Sequence, residues 1–222
     1  MRSIFFLGTA REGSTRCKNK MIRDFNGSSL FELYLDKLEL LFNQGYKVGC
    51  AVYPGDKTLW ERIQQSDVPV IERNKTSVTG AHPRSVELHF LEDVDADLIV
   101  WINACQPFLR VKTILDAVDQ MEKMNAVSCT CVKNRYTWFW DTKSNPVNNR
   151  DPRNMATQNA TPLLEATHSF HMFPRKRLLD ENIMWNYAYH DPFLFRVSDD
   201  LEFFDIDTTS DFRVGECLWK NQ

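Results

Sequence analysis

The amino-acid sequence predicts an α/β fold, a mixed and mostly parallel sheet layered between helices. Three observations predict it. Short apolar, β-branched runs alternate with amphipathic segments at the spacing of strand–helix–strand units. Leu98-Ile-Val-Trp-Ile102 is a near-continuous apolar run, as expected of a strand covered on both faces. The first apolar run, Ser3-Ile-Phe-Phe-Leu7, passes through a basic, glycine-containing loop into the clearest helix of the chain. The opening unit is therefore strand, loop, helix.

The loop is Ala10–Met21, A-R-E-G-S-T-R-C-K-N-K-M. Gly8 and Gly13 let the chain turn without a Cβ clash, which leaves backbone N–H groups free to face an anion. Arg11, Arg16, Lys18 and Lys20 supply the positive charge a triphosphate needs. The spacing matches neither G-x-x-x-x-G-K-[ST] nor G-x-G-x-x-G, and a solvated basic turn has the same composition. Ser28–Asn43 reads as a helix: Ser29 and Glu32 form an S-x-x-E capping box, Leu30, Leu33, Tyr34, Leu38, Leu41 and Phe42 make an apolar stripe, and Gly45 stops it.

A strand at Lys47–Val52, a turn at Pro54-Gly55, a helix at Thr58–Gln65 and a short strand at Val68–Ile71 follow. A polar loop, Glu72–Pro83, leads to a helix at Arg84–Asp93 and then to the Leu98–Ile102 strand. Ligands of such sheets gather beyond the carboxyl ends of the strands, where Ala10–Met21 and the loop after Ile102 both fall. That second loop, Asn103–Arg110, runs into a helix at Val111–Lys123.

A strand at Ala126–Lys133 leads into Tyr136-Thr-Trp-Phe-Trp140. Cys129-Thr130-Cys131 belongs to that strand and not to a metal site, because no second Cys/His pair has ligand spacing. Asp141–Pro162 has neither helical nor alternating period, and a loop of that length in a domain is functional or disordered. Thr167–Phe173 reads as a strand that places His168 and His171, three apart, on opposite faces, so they do not share a metal. Arg175–Glu181 reads as a short helix.

Leu201–Asp207 reads as the last strand. There Asp205 and Asp207 share a face at about 7 Å between Cα atoms, close enough to converge on one hard cation. The structural alternative is that the two acids end an edge strand and cap a helix from Thr208 or Thr209, with Asp211 and Glu216 as first-turn charge and scaffold.

At 222 residues, 43% apolar and 12% aromatic, the chain can bury the core of one domain. A net charge of −3 and a pI near 6.0 argue against a nucleic-acid or anionic-membrane surface, so any polyanion is held locally. Met1-Arg2 followed by Ile4–Ala10 imitates a secretory start, but Arg11, Glu12 and Arg16 end the run, and nothing approaches the roughly 20 residues of a membrane span. Six scattered cysteines suit reduced thiols and a cytoplasmic location.

The loop resembles, position for position, the A-R-x-G-S-x-R-x-x-x-K-N signature of the cytidylyltransferases that make CMP-activated acidic sugars, such as the acylneuraminate (sialic acid) and related nonulosonate synthetases. The match covers Ala10, Arg11, Gly13, Ser14, Arg16 and Lys20 and departs at Met21, where the family has Asn. Asn103–Arg110 is similar to the family's Q-P-T-S-P-L-R segment in Pro107, Leu109 and Arg110. The chain's end resembles I-D-I-D-T-x-x-D-x-x-x-A-E, with Gly215 in place of Ala.

This resemblance implies a Rossmann-like nucleotidyltransferase fold related to the GT-A glycosyltransferases, and a reaction of CTP with an acidic sugar that yields a CMP-sugar and pyrophosphate. It implies that Ala10, Arg11, Gly13, Ser14, Arg16, Lys20 and Gln106 hold CTP, that Asp205 and Asp207 hold Mg²⁺, and that Arg11, Lys20 and Asp207 are catalytic. It further implies one domain over residues 1–222, with residues 134–166 as an arm that reaches across a homodimer and helps cover the acceptor. The aromatic residues beside that arm suit an interface. The family's Asn-Gly-Ala is absent from Thr167–Phe173, which opens the alternative of a phosphonate or polyol phosphate acceptor. Met21 opens that of a non-catalytic nucleotide-binding relative, against which Lys20, Asp205 and Asp207 stand. A plain GT-A glycosyltransferase, the remaining rival, would show its D-x-D after a middle strand.

Overall fold

Six of the seven strands run in one direction, and the sheet turns on the pair at its centre. The computed structural model describes residues 2–79, 82–149, 151, 153 and 156–221. Its strands are β1 (Ile4–Thr9), β2 (Lys47–Val52), β3 (Val70–Glu72), β4 (Leu98–Ile102), β5 (Cys129–Arg135), β6 (Leu163–Pro174) and β7 (Phe193–Arg196). Its α-helices are α1 (Leu30–Asn43), α2 (Lys57–Ile63), α3 (Arg84–Glu87), α4 (Val111–Lys123), α5 (Arg175–Glu181) and α6 (Thr209–Lys220). The strand order is β3-β2-β1-β4-β6-β5-β7, with β6 antiparallel to both of its neighbours. From β1 the chain winds outward through β2 and β3, then returns to place β4 on the other side of β1. The crevice at the carboxyl ends of β1 and β4 is thus the topological switch point, where such sheets take their ligands.

Helices cover both faces of β4, whose Leu98, Ile99, Val100 and Ile102 are all buried. Helix α1 packs its stripe on one core cluster, and Ser29 caps it by accepting from Glu32 N at 3.2 Å. The expected capping box is only half made, because the Glu32 carboxylate takes Ser28 Oγ and Arg62 instead of returning to the cap. Gly45 ends the helix at φ +86°, a conformation glycine adopts freely. Gly8 is part of β1 and not of the loop. A Cβ there would lie 2.6 Å from Leu38 Cδ1 and 3.1 Å from the Tyr34 hydroxyl, so this glycine lets α1 approach the sheet.

Three expectations are corrected. The helix at Arg84–Asp93 divides into α3 and a 3₁₀ turn at His89–Asp93, which swings Leu88, Phe90 and Leu91 together into the second core cluster. The strand at Leu201–Asp207 is a 3₁₀ turn at Asp200–Phe203 followed by an extended stretch joined to Cys105 O by Ile206 N at 2.9 Å. Its cause is Glu202, which is 2% exposed and whose carboxylate accepts from Arg110 N, the Arg110 side chain and Thr113 Oγ1. The third concerns β6. Thr130 pairs with His171 and Val132 with Ala166, so Cys131 faces the whole stretch Thr167–Phe170 in a bulge. His168 takes φ +54° there, which turns its ring to the same side as His171 and brings Nδ1 to 3.3 Å from His171 Nε2.

The described residues of 136–162 are irregular apart from a bridge between Trp140 and Pro146 and a 3₁₀ turn at Thr157–Asn159. Asn148 ties this excursion at its base, donating to Thr137 O and Thr161 O and accepting from Phe139 N. Arg150, Pro152, Asn154 and Met155 of the expected arm, and Gly80 and Ala81 of the polar loop, lie outside the described residues. Among the described residues no helix is long and apolar enough to cross a membrane.

Candidate active site

The crevice beyond β1 and β4 is a cleft of about 540 Å³. Ala10, Arg11, Gly13, Ser14, Arg16, Lys20 and Asp207 all line it, as do Met21, Arg73, Trp101, Cys105, His168 and His171. Lys18 does not. Tyr34 holds the two strand ends together, since its hydroxyl donates to Ile102 O at 2.8 Å and accepts from Thr9 N at 3.2 Å. The loop is anchored inside by Cys17 and Met21, at 1% and 3% exposed. It is anchored outside by Glu12, whose carboxylate caps α2 by accepting from Thr58 N and Leu59 N, while Glu12 N donates to Asp56.

The two ends of the chain meet across this cleft. Lys20 Nζ donates to Ile206 O at 2.7 Å and to Asp207 Oδ1 at 3.4 Å, and Arg16 Nη2 donates to the same Oδ1 at 2.9 Å. Thr208 caps α6 in a reciprocal box with Asp211, whose carboxylate also accepts from Asp207 N. The cap therefore belongs to Thr208 and Asp211, which leaves the Asp207 side chain to face the cations. Behind it, Asp205 Oδ1 is buried without a hydrogen-bond partner among the described residues. Burial first, and then the charge of Asp207, raise the Asp205 pKa to about 6. Burial acts to lower the Lys20 pKa, but contact with Cys105 and the charges of Asp207 and Asp205 outweigh it and hold the ammonium above its ordinary value.

An orphaned, buried carboxylate oxygen beside a second carboxylate is a donor set suited to a hard cation. Among the described residues no group of three His, Cys, Asp or Glu side chains gathers as metal ligands. A divalent ion here would rest on two carboxylates and complete its shell with substrate oxygens and water, the habit of Mg²⁺.

Gln106 is placed elsewhere. It is fully buried, its Nε2 donates to Thr167 O at 2.9 Å and its backbone O accepts from Lys37 Nζ at 2.9 Å, so it faces neither the cleft nor solvent. Other cleft residues escaped the sequence reading. Arg73 is 7% exposed, donates to Ser77 Oγ and Ser77 O, and forms no ion pair among the described residues. Arg84 lies over the Trp101 ring at 5.4 Å. Neither arginine carries a local pattern; only their positions, Arg73 within the polar loop Glu72–Pro83 and Arg84 directly after it, could have suggested them.

A family model described as cytidylyltransferase matches residues 7–211. A solved structure of CMP:2-keto-3-deoxy-manno-octonic acid synthetase complexed with CTP is similar at a TM-score of 0.68 and 14% identity, covering 98% of each chain. That of 4-diphosphocytidyl-2C-methyl-D-erythritol synthase from Anaerococcus prevotii is similar at 0.67 and 11%, again over 98% of each. No curated protein sequence matches the chain. The two structural likenesses bear on the fold, which is that of the α/β nucleotidyltransferases.

Proposed function

We propose that this chain, which belongs to the cytidylyltransferase family, transfers CMP from CTP to an acidic sugar of the nonulosonate type and releases pyrophosphate. The observation that carries this reading is the meeting of Arg16 and Lys20 with Asp207, backed by Asp205, at the mouth of the β1–β4 switch point. An anion site and a cation site lie side by side there, as transfer of a nucleotidyl group from a triphosphate requires.

In this reading Arg11, Arg16 and Lys20, with the backbone of Ala10, Gly13 and Ser14, receive the triphosphate. Asp205 and Asp207 would hold Mg²⁺, which when bound supplies charge neutralisation. An acceptor oxygen attacks the α-phosphorus in line, the bond to the β-phosphate oxygen breaks, and pyrophosphate leaves toward the loop cations. The chain contributes positioning and electrostatic complementarity to this displacement. A triphosphate entering the loop would compete with Asp207 for Arg16 and Lys20 and leave that carboxylate unpaired. Gln106 has no contact with substrate in this scheme.

A non-sugar acceptor such as a polyol phosphate is the second reading. It is favoured by the likeness to a synthase whose named product is a cytidylyl derivative of methylerythritol. We further read residues 1–222 as one cytoplasmic catalytic unit whose 134–166 arm completes a homodimer, a reading supported by Tyr136 and Trp140, 54% and 62% exposed within it. Pyrophosphate release from CTP and Mg²⁺ with a panel of acidic sugars, polyol phosphates and phosphonates tests the assignment. Turnover with a sugar acid alone supports it, turnover with a polyol phosphate alone transfers it to the second reading, and none with any acceptor overturns both.

A further inference from the structure

The bulge in β6 builds a hydrogen-bonded chain that the transfer chemistry above does not use. Thr130 Oγ1 lies 2.9 Å from His171 Nδ1, and His171 Nε2 lies 3.3 Å from His168 Nδ1. Thr130 is 3% exposed and its hydroxyl has no other partner among the described residues. A buried hydroxyl proton needs an acceptor, so the chain has one direction that leaves nothing orphaned. Thr130 donates to His171 Nδ1, His171 Nε2–H donates to His168 Nδ1, and the remaining His168 proton sits on Nε2. Burial above all, with the neighbouring His168 and Arg84, lowers the His171 pKa to about 3, so this middle ring stays neutral as the chain requires.

His168 lines the cleft, and its Nε2 makes no hydrogen bond among the described residues. Trp101 lies beside His171 with ring centroids 6.4 Å apart, and the Arg84 guanidinium covers Trp101. Trp101 is itself fixed by donating from Nε1 to Thr9 Oγ1 at 2.9 Å, and Trp185 packs against His171 at 5.3 Å. Arg84 spends Nη1 on Glu87 and keeps the rest of its fork free of hydrogen bonds to described residues. One fixed N–H and one cation, linked through Trp101 and His171, thus line the cleft that also holds Arg16, Lys20 and Asp207.

We propose that His168 Nε2–H and Arg84 hold the acidic group of the acceptor, a carboxylate or a phosphate, with Thr130 and His171 as positioning residues that keep the proton on Nε2. The inference rests on the transferase reading and adds to it the side chains that select an acid.

The test uses the full chain with CTP and Mg²⁺, a sugar acid and its methyl ester as paired acceptors, and a polyol phosphate with the free polyol as its neutral competitor. His168→Asn is the variant of choice, because Asn tolerates positive φ. Loss of a charge-assisted hydrogen bond should raise KM for the acid by about 10- to 100-fold. The preference for each acid over its neutral partner should fall by the same factor. The acid pair and the phosphate pair separate the two anion sources. Thr130→Val, outside the cleft, should raise the acid KM by a smaller factor, and Thr130→Ser should restore it. Independently of turnover, ¹⁵N chemical shifts of the wild-type imidazoles should report His168 protonated at Nε2. A His168→Asn enzyme that discriminates acid from ester as well as the wild type, or a His168 carrying its proton on Nδ1, overturns the inference. Absence of pyrophosphate release by the wild-type chain with every acceptor overturns the transferase reading beneath it, while the imidazole shifts still report the chain's direction.

Discussion

Asp205→Asn should make the ligand-free protein more stable and the enzyme nearly inactive. Asp205 has a folded pKa of about 6 against an ordinary 3.8, so the folded state binds its proton more tightly than the unfolded state. Below pH 3.8 both states are protonated and nothing is lost. As pH rises through the interval and past 6, the ionised carboxylate costs stability. The gap of roughly two pH units corresponds to about 3 kcal/mol at 1.36 kcal/mol each, and solvent screening at this half-buried site leaves about 1–2 kcal/mol. The neutral amide removes that cost, which for a chain of this size raises Tm by about 3–6 °C at pH 7.5. The assay is thermal unfolding in EDTA at pH 7.5 and at stepped pH values down to 4.5, where the advantage of the variant should shrink toward zero. With CTP, Mg²⁺ and acceptor, kcat should fall by about 10² or more, since loss of a metal ligand removes several kcal/mol of transition-state stabilisation. A variant that is destabilised equally at both ends of the pH range, or that turns over normally, would refute the reasoning.

Met21 is 3% exposed among the anchors of the loop, so Met21→Asn buries an amide where a thioether packed and should cost about 1–3 kcal/mol by denaturant titration. An unchanged midpoint with a lower KM for CTP would show instead that the amide reaches the nucleotide. Glu202→Ala leaves the buried Thr113 hydroxyl and Arg110 N without their acceptor and should destabilise by about 1–3 kcal/mol, with loss of activity as the stretch carrying Asp205 and Asp207 loosens; an unchanged unfolding midpoint would remove Glu202 from this role. Deleting 145–159 should shift the sedimenting species from dimer to monomer and lower turnover. An unchanged dimer would contradict the arm's assignment.

The elements legible in the sequence were those whose signals are local. Helix α1 has its cap at Ser29 and its stop at Gly45, α4 and α5 fall at the bounds their periodicity marks, and the apolar run of β4 is a central strand buried at all but Trp101. The cluster of Lys20, Arg16 and Asp207 was legible through motifs at the two ends of the chain, which the fold brings together. What stayed hidden depends on partners distant in sequence. Glu202 is drawn into a turn by Arg110, which no alternation pattern within Leu201–Asp207 could reveal. His168 adopts a left-handed backbone because β6 must fit the extra stretch Thr167–Phe170 against Cys131, so an alternation rule sent the ring to the wrong face. Gln106 follows from the same bulge, since the Thr167 carbonyl it binds is part of it.

The central claim is that CMP passes from CTP to an acceptor acid in the β1–β4 cleft. Phosphorus NMR of wild-type protein with CTP, Mg²⁺ and the acceptor panel tests it most directly. The account predicts loss of the three triphosphate signals with growth of pyrophosphate and one new CMP-ester resonance in equal amounts, and none of this with Asp207→Asn on the same timescale. Pyrophosphate that appears with free CMP and no ester, or conversion by Asp207→Asn at the wild-type rate, would contradict it.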